Sequence, residues 1–237
     1  MGRSVGQMVD QQVMRWLQER RAQAALSAPD SSAPPHSSVR MAQRPMVTIS
    51  RQYGAYGGAM GRIVARELSI DYHAQELVQR VAERADVRDQ VVQSLDERSQ
   101  SSLRLWVDEM FTVRRFEASD YLNALSETIS ALARHNSGVI VGRGGHLILD
   151  PARTLRVRAF APLEERIQYV SEREGMSPAE ARIKVNRVDQ ERSEFFQKHF
   201  STNIADPLGF DLLINTSSLS LECGAQVVAE NFRQRFG

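Results

Sequence analysis

The chain has 237 residues, 42% hydrophobic and 25% charged, with 30 Lys and Arg against 29 Asp and Glu for a formal net charge of +1. That length suffices for one large α/β domain or two small ones with a buried core, and the balanced charge offers no bulk attraction to nucleic acid. The single cysteine, Cys223, excludes an intrachain disulfide, no run approaches the ~18 apolar residues of a membrane span, and no apolar secretory signal opens the chain, so a soluble cytoplasmic protein is expected.

Residues 4–26 predict an amphipathic helix: Ser4 can cap it, and Val5, Met8, Val9, Val13, Trp16 and Leu17 recur at helical spacing. The Ser/Pro/Ala-rich stretch 27–44 predicts a flexible linker. A helix tethered in this way must bury its stripe, either on its own domain or on a protein partner or second protomer. Asp10 and Glu19 among its arginines argue against a membrane surface.

The globular domain is expected over residues 45–237. Met46–Ser50 is a β-branched run, followed by a glycine-rich segment and then by Met60, Ile63, Val64 and Leu68 at helical spacing. Helical pattern follows over about 74–84, through Val91, Leu95 and Leu103 to Phe111, and again from Leu122 to Leu132, stopping near Asn136-Ser137-Gly138. Val139-Ile140-Val141 reads as a strand buried on both faces, and Leu155–Phe160 as an alternating strand. Pro162 and the box Ser177-Pro178-Ala179-Glu180 each open a helix, and strand Phe210–Asn215 precedes a closing helix carrying Leu221, Ala225, Val228 and Phe232. Strands alternating with helices predict a parallel sheet covered on both faces.

Three constellations carry chemistry. The first is the glycine-rich turn Arg51-Gln52-Tyr53-Gly54-Ala55-Tyr56-Gly57-Gly58 at a helix start. Such a turn aims backbone N–H groups and the positive end of the helix dipole at an anion, usually phosphate; the alternative is a structural tight turn. A Walker loop would place lysine and a hydroxyl here, but Gly57, Gly58 and Ala59 occupy that region, and Tyr56 replaces the first glycine of a dinucleotide fingerprint.

The second constellation is Gly142-Arg143-Gly144-Gly145 at the carboxyl end of a buried strand, where open α/β sheets bind ligands and an arginine fork suits phosphate; an ion pair at the sheet edge is the alternative. The third is helix 178–200, where Arg182, Arg187 and Arg192 recur every five residues and spiral around the axis, with Asp189 available to orient Arg187 and Arg192. A solvated helix would show the same spacing. Phe195, Phe196 and Phe200 serve to pack it down. His36, His135, His146 and His199 lack metal-ligand spacing, so no metal site is expected, and Cys223 reads as a small core residue.

Val47-Thr48-Ile49-Ser50-Arg51-Gln52-Tyr53-Gly54, Val141-Gly142-Arg143-Gly144-Gly145 and Phe210–Thr216 together resemble the bacterial cytidylate kinase-like family, a branch of the P-loop nucleoside monophosphate kinases, over about residues 46–236. The resemblance implies a parallel-sheet kinase core with a helical acceptor-binding insertion after Asp71 and a mobile lid. It implies ATP with Mg2+ as donor and CMP or a related small molecule as acceptor. Arg51, Tyr53, Gly54, Ala55, Tyr56, Gly57 and Gly58 would cradle donor phosphates, and Arg143 would contact the acceptor phosphate. Arg182, Arg187, Asp189 and Arg192 would form the lid, the last three with Arg143 being the catalytic set.

The departures point to a second function. The loop lysine, its hydroxyl and the acid of the kinases' Gly-Arg-Asp turn are all missing, and Gly144 stands in the acid's place. Each such group contributes about 3 kcal/mol to lowering a barrier, and Arg51 or Arg62 is the candidate substitute. The two functions to separate are a phosphotransferase and a degenerate kinase fold acting as a nucleotide sensor, scaffold or partner subunit.

Overall fold

The computed structural model describes residues 43–83, 88–89, 92–93, 100, 103, 107 and 119–237. The expected helix 4–26, nearly all of the linker and most of the helical pattern between Val91 and Phe111 lie outside the described residues. The last two residues of the expected linker pack on the domain: Gln43 is buried, its amide donates to Thr154 Oγ1 at 3.0 Å, and Arg44 N–H donates to the Ala133 carbonyl at 2.8 Å.

Five parallel strands form one sheet in the order β2-β3-β1-β4-β5. They are β1 (Met46–Arg51), β2 (Asp71–His73), β3 (Gly138–Val141), β4 (Thr154–Phe160) and β5 (Leu212–Asn215). The helices are α1 (Gly57–Leu68), α2 (Gln75–Glu83), α3 (Asp120–His135), α4 (Gly145–Ile148), α5 (Leu163–Glu174), α6 (Pro178–Phe200) and α7 (Leu221–Phe236). Strand β2 was not legible in the sequence: three residues carry no period, and the strand exists through its ladder to β3, Asp71 opposite Gly138.

Strand alternation decides the two cores. Val47 and Ile49 of β1, Val139 and Val141 of β3, and Leu155, Val157 and Ala159 of β4 pack with Met60 and Val64 of α1 and Ala225, Val228 and Phe232 of α7. On the opposite face Met46 and Ile140 meet Leu122, Leu125, Ile129 and Leu132 of α3 and Phe196 and Phe200 at the end of α6. A third cluster, Ile167, Val170, Ala181 and Val185, zips α5 to α6 as an antiparallel hairpin and takes in Tyr53.

Helix starts follow the expected chemistry at Ser177, where the hydroxyl accepts from Glu180 N–H and the Glu180 carboxylate accepts from Ser177 N–H. Pro162 is the cap itself and not the first helical residue. Cys223 is exposed on α7 and not in the core, because the residues that face the sheet there are Gly224, Ala225 and Val228. Among the described residues no helix is long and apolar enough to cross a membrane.

Candidate active site

Two adjoining cavities lie beyond the carboxyl ends of β1 and β3, where parallel sheets bind ligands. The loop cavity, about 370 Å³, is lined by the segment Arg51–Tyr53, by Gly54 and Tyr56–Ala59, and by Arg62, Tyr72, Gln75, Glu76, Tyr169, Arg173 and Arg192. The second, about 270 Å³, is lined by Arg143, Gly144, His146, Glu191, Phe195 and Ile204 among others. Arg51, Gln75, Val188 and Arg192 line both.

The glycine-rich turn is held from below and from the side. Gly54 has φ +83°, and a Cβ there would lie 2.9 Å from the Arg166 carbonyl oxygen. A Cβ on Gly57 would lie 2.7 Å from Arg51 Cβ, so the turn packs on β1 only without a side chain at that position. Asp189 accepts the Tyr53 N–H at 2.7 Å and pairs with the Arg166 guanidinium at 2.6 Å, while Arg166 also donates to the Tyr53 carbonyl at 3.0 Å. Tyr53 Oη donates to Glu174 at 2.6 Å, and Glu174 pairs with Lys184. Tyr56 takes the left-handed conformation at φ 52° as the residue before α1, with no side-chain cap, leaving the first-turn N–H groups of that helix to face the cavity.

Arg51 and Arg192 are the charged centre. Arg192 donates to the Arg51 carbonyl at 3.1 Å, and Arg51 donates to Gln75 Oε1 at 2.5 Å. Burial, and secondly the charge of Arg192, bring the Arg51 pKa down to about 9. It remains protonated at neutral pH, so two like charges are held together in a partly desolvated place, an arrangement that an anion relieves. Burial likewise lowers the pKa of Arg192, against the opposing effect of Asp189. Arg143 also has φ 56° and is hydrogen-bonded to Tyr121, whose pKa burial raises.

Among the residues anticipated from sequence, Arg51, Tyr53, Gly54, Tyr56, Gly57, Gly58 and Arg192 meet at the loop cavity, and Arg143 lines the second. Ala55 is buried beneath the turn. Arg182 and Arg187 line neither cavity. Arg182 is exposed and pairs with Glu164 at 2.6 Å, and Arg187, also exposed, reaches Glu191 at 3.7 Å. Asp189 lies 3.9 Å from Arg192 and does not orient Arg187; it clamps the loop through Arg166. Arg166, Arg173 and Tyr169 escaped sequence reasoning because α5 gives no local motif, and only its packing on α6 turns them toward the loop. His146, passed over for want of metal-ligand spacing, is buried in the wall of the second cavity.

Among the described residues no group of His, Cys, Asp and Glu could by itself hold a metal. Glu76 is the one carboxylate lining the loop cavity among them. That set fits magnesium only in the form in which it travels on nucleotide phosphates, keeping its waters and needing one or two protein carboxylates.

A parallel sheet with a glycine-rich turn opening α1 and arginines at the strand ends defines a kinase-like, nucleotide-binding fold. The model of the cytidylate kinase-like family matches residues 46–218, and the chain belongs to that family. The chain is 30% identical over 123 residues to the uronate isomerase of Corynebacterium glutamicum, a match covering 52% of this chain but 22% of that protein. The crystal structure of an uncharacterized protein from Eubacterium ventriosum superposes with a TM-score of 0.56 at 15% identity, covering 80% of this chain and 99% of that one. Shikimate kinase from Bacteroides thetaiotaomicron gives a TM-score of 0.41 at 12% identity over 80% of this chain and 96% of that one.

Proposed function

We propose that this protein is a nucleoside monophosphate kinase-type phosphotransferase, with ATP as donor in the loop cavity and CMP or a related small acceptor in the Arg143 cavity. The observation that carries this reading is that Arg51 and Arg192 line both cavities, so a group passing from one to the other passes between two guanidinium groups. An acceptor phosphate oxygen attacks the γ-phosphorus, the bond from that phosphorus to the β–γ bridging oxygen breaks, and ADP leaves. The chain positions both partners and stabilises the charge that develops on the transferred group, which is where most phosphoryl-transfer catalysis comes from. Magnesium arriving with the nucleotide would neutralise charge on its phosphate oxygens, and Glu76 is the residue that would face it. Arg143, with Tyr121 behind it, orients the acceptor.

The absence of a lysine and a hydroxyl at Gly58 and Ala59 favours a second reading, a nucleotide-binding sensor, scaffold or partner subunit without turnover. Calorimetric titration with ATP, with and without magnesium, followed by an ADP-release assay with CMP and other small phosphate and hydroxyl acceptors, separates the two. Acceptor-dependent ADP release, lost in Arg192→Ala, is the expected result. ATP binding with no turnover on any acceptor selects the second reading, and no binding at millimolar ATP overturns both.

A further inference from the structure

The loop cavity holds two arginines that the reading above leaves without a task. Arg62 is on α1 exactly one i, i+4 step after Gly58, so the two share a helix face. Helical side chains lean toward the N-terminus, which brings Arg62 back over the place that a residue-58 side chain would fill. Its guanidinium carbon lies 5.6 Å from the Tyr72 ring centre, and Tyr72 Oη donates to the Gly58 carbonyl at 3.2 Å. On the other side of the turn Arg173 of α5 lies 5.9 Å from the Tyr169 ring centre, and that ring is 3.9 Å from the ring of Tyr56. Each arginine is thus carried on a tyrosine that touches the glycine-rich turn. Space at Gly58 is open: the nearest atom to a Cβ there is Tyr72 Oη at 3.7 Å.

We propose that Arg62 and Arg173 jointly do the work of the missing loop lysine, gripping the outer phosphates of a nucleoside triphosphate from the two sides of the Gly57-Gly58 turn. This rests on the reading that the cavity binds a nucleotide. A lysine at position 58 would bring one ammonium from within the turn. Two planar forks from α1 and α5 instead reach more phosphate oxygens, and they favour ligands with more phosphates over those with fewer. The tyrosines hold the guanidinium groups in place on either side of the turn.

Full-length protein is titrated calorimetrically with ATP, ADP and AMP at fixed salt. Both arginines are exposed, so Arg62→Ala and Arg173→Ala leave the core intact. Each is expected to weaken ATP by roughly 10-fold, the double variant by more, with AMP nearly unchanged. Adding Gly58→Lys to Arg62→Ala is expected to recover most of the lost ATP affinity. Arg62→Gln and Arg173→Gln, which keep the side-chain stems, give the same comparison if an alanine variant melts lower. ATP affinity within twofold of wild type in the double variant, or equal losses for ATP and AMP, overturns the proposal. A wild-type protein that binds no ATP instead overturns the nucleotide reading itself.

Discussion

At the scale of single residues the loop is decided by what is absent from Gly54 and present at Asp189. Gly54→Ala places a methyl against the Arg166 carbonyl in a left-handed conformation, and a loss of about 1–3 kcal/mol in denaturant unfolding is expected, with weaker nucleotide binding. Asp189→Ala leaves the nearly buried Arg166 guanidinium without its charge partner and the Tyr53 N–H without its acceptor. The expected cost is about 3 kcal/mol, read by the same unfolding measurement. Arg192→Ala is expected to lower turnover by about 100-fold, whereas Arg187→Ala, whose side chain faces solvent, changes it less than about threefold. A large effect of Arg187→Ala would show that α6 rotates or closes to bring this residue in.

His146 supplies a pH signature. Burial first, then the charges of Arg156 and Arg158, push its pKa from 6.5 to about 3. The fold holds it neutral while the unfolded chain takes up a proton below about pH 6.5, so its contribution is full above that pH and is lost as pH falls toward about 3. Urea midpoints at pH about 7.5 and about 4.5 are expected to differ less in His146→Gln than in wild type. An equal drop in both would assign the acid sensitivity to other groups.

At the scale of elements, the ends of α1 differ in an informative way. Ser69, the residue just after its last turn, sits at φ 53°, with its N–H donating to the Ala65 and Arg66 carbonyls, a position that glycine occupies without strain. Ser69→Gly is expected to stabilise the protein by up to about 1 kcal/mol, measured as a raised melting temperature, with nucleotide affinity unchanged. Tyr56 at the other end has the same backbone strain, but its ring lies against Tyr169 at the cavity, tilted by 42°, so strain there accompanies a site and not a simple helix stop. The hairpin of α5 and α6 explains why arginines spaced by five residues part company. Successive positions rotate around α6, and packing of Ala181 and Val185 on Ile167 and Val170 selects the side that carries Arg192 inward.

At the scale of the whole molecule, Gln43 is an integral part of the fold. Its side chain bridges Thr154 and the Asp150 N–H, so it ties the entry of β1 to the entry of β4. Deleting residues 1–42 is expected to leave a single cooperative melt, whereas deleting 1–44 lowers the melting temperature by removing those bonds. Loss of cooperativity in the shorter deletion would show that residues 4–26 bury their stripe on this domain.

Four of the five strands, the glycine-rich turn and the arginine at the end of β3 could be read directly from the chain. Each is a local pattern: β-branched runs, alternation, or glycines where backbone must turn. Strand β2, the exposure of Cys223 and the tasks of Arg166, Arg173 and Arg187 could not, because each depends on which segments meet. The bond from Tyr53 to Asp189 joins residues 136 positions apart. The sequence by itself therefore determined a parallel sheet with a phosphate-suited turn. Only the tertiary structure decided which guanidinium groups converge on that turn, because long charged side chains leave no periodic trace and are aimed by the surfaces their helices pack against.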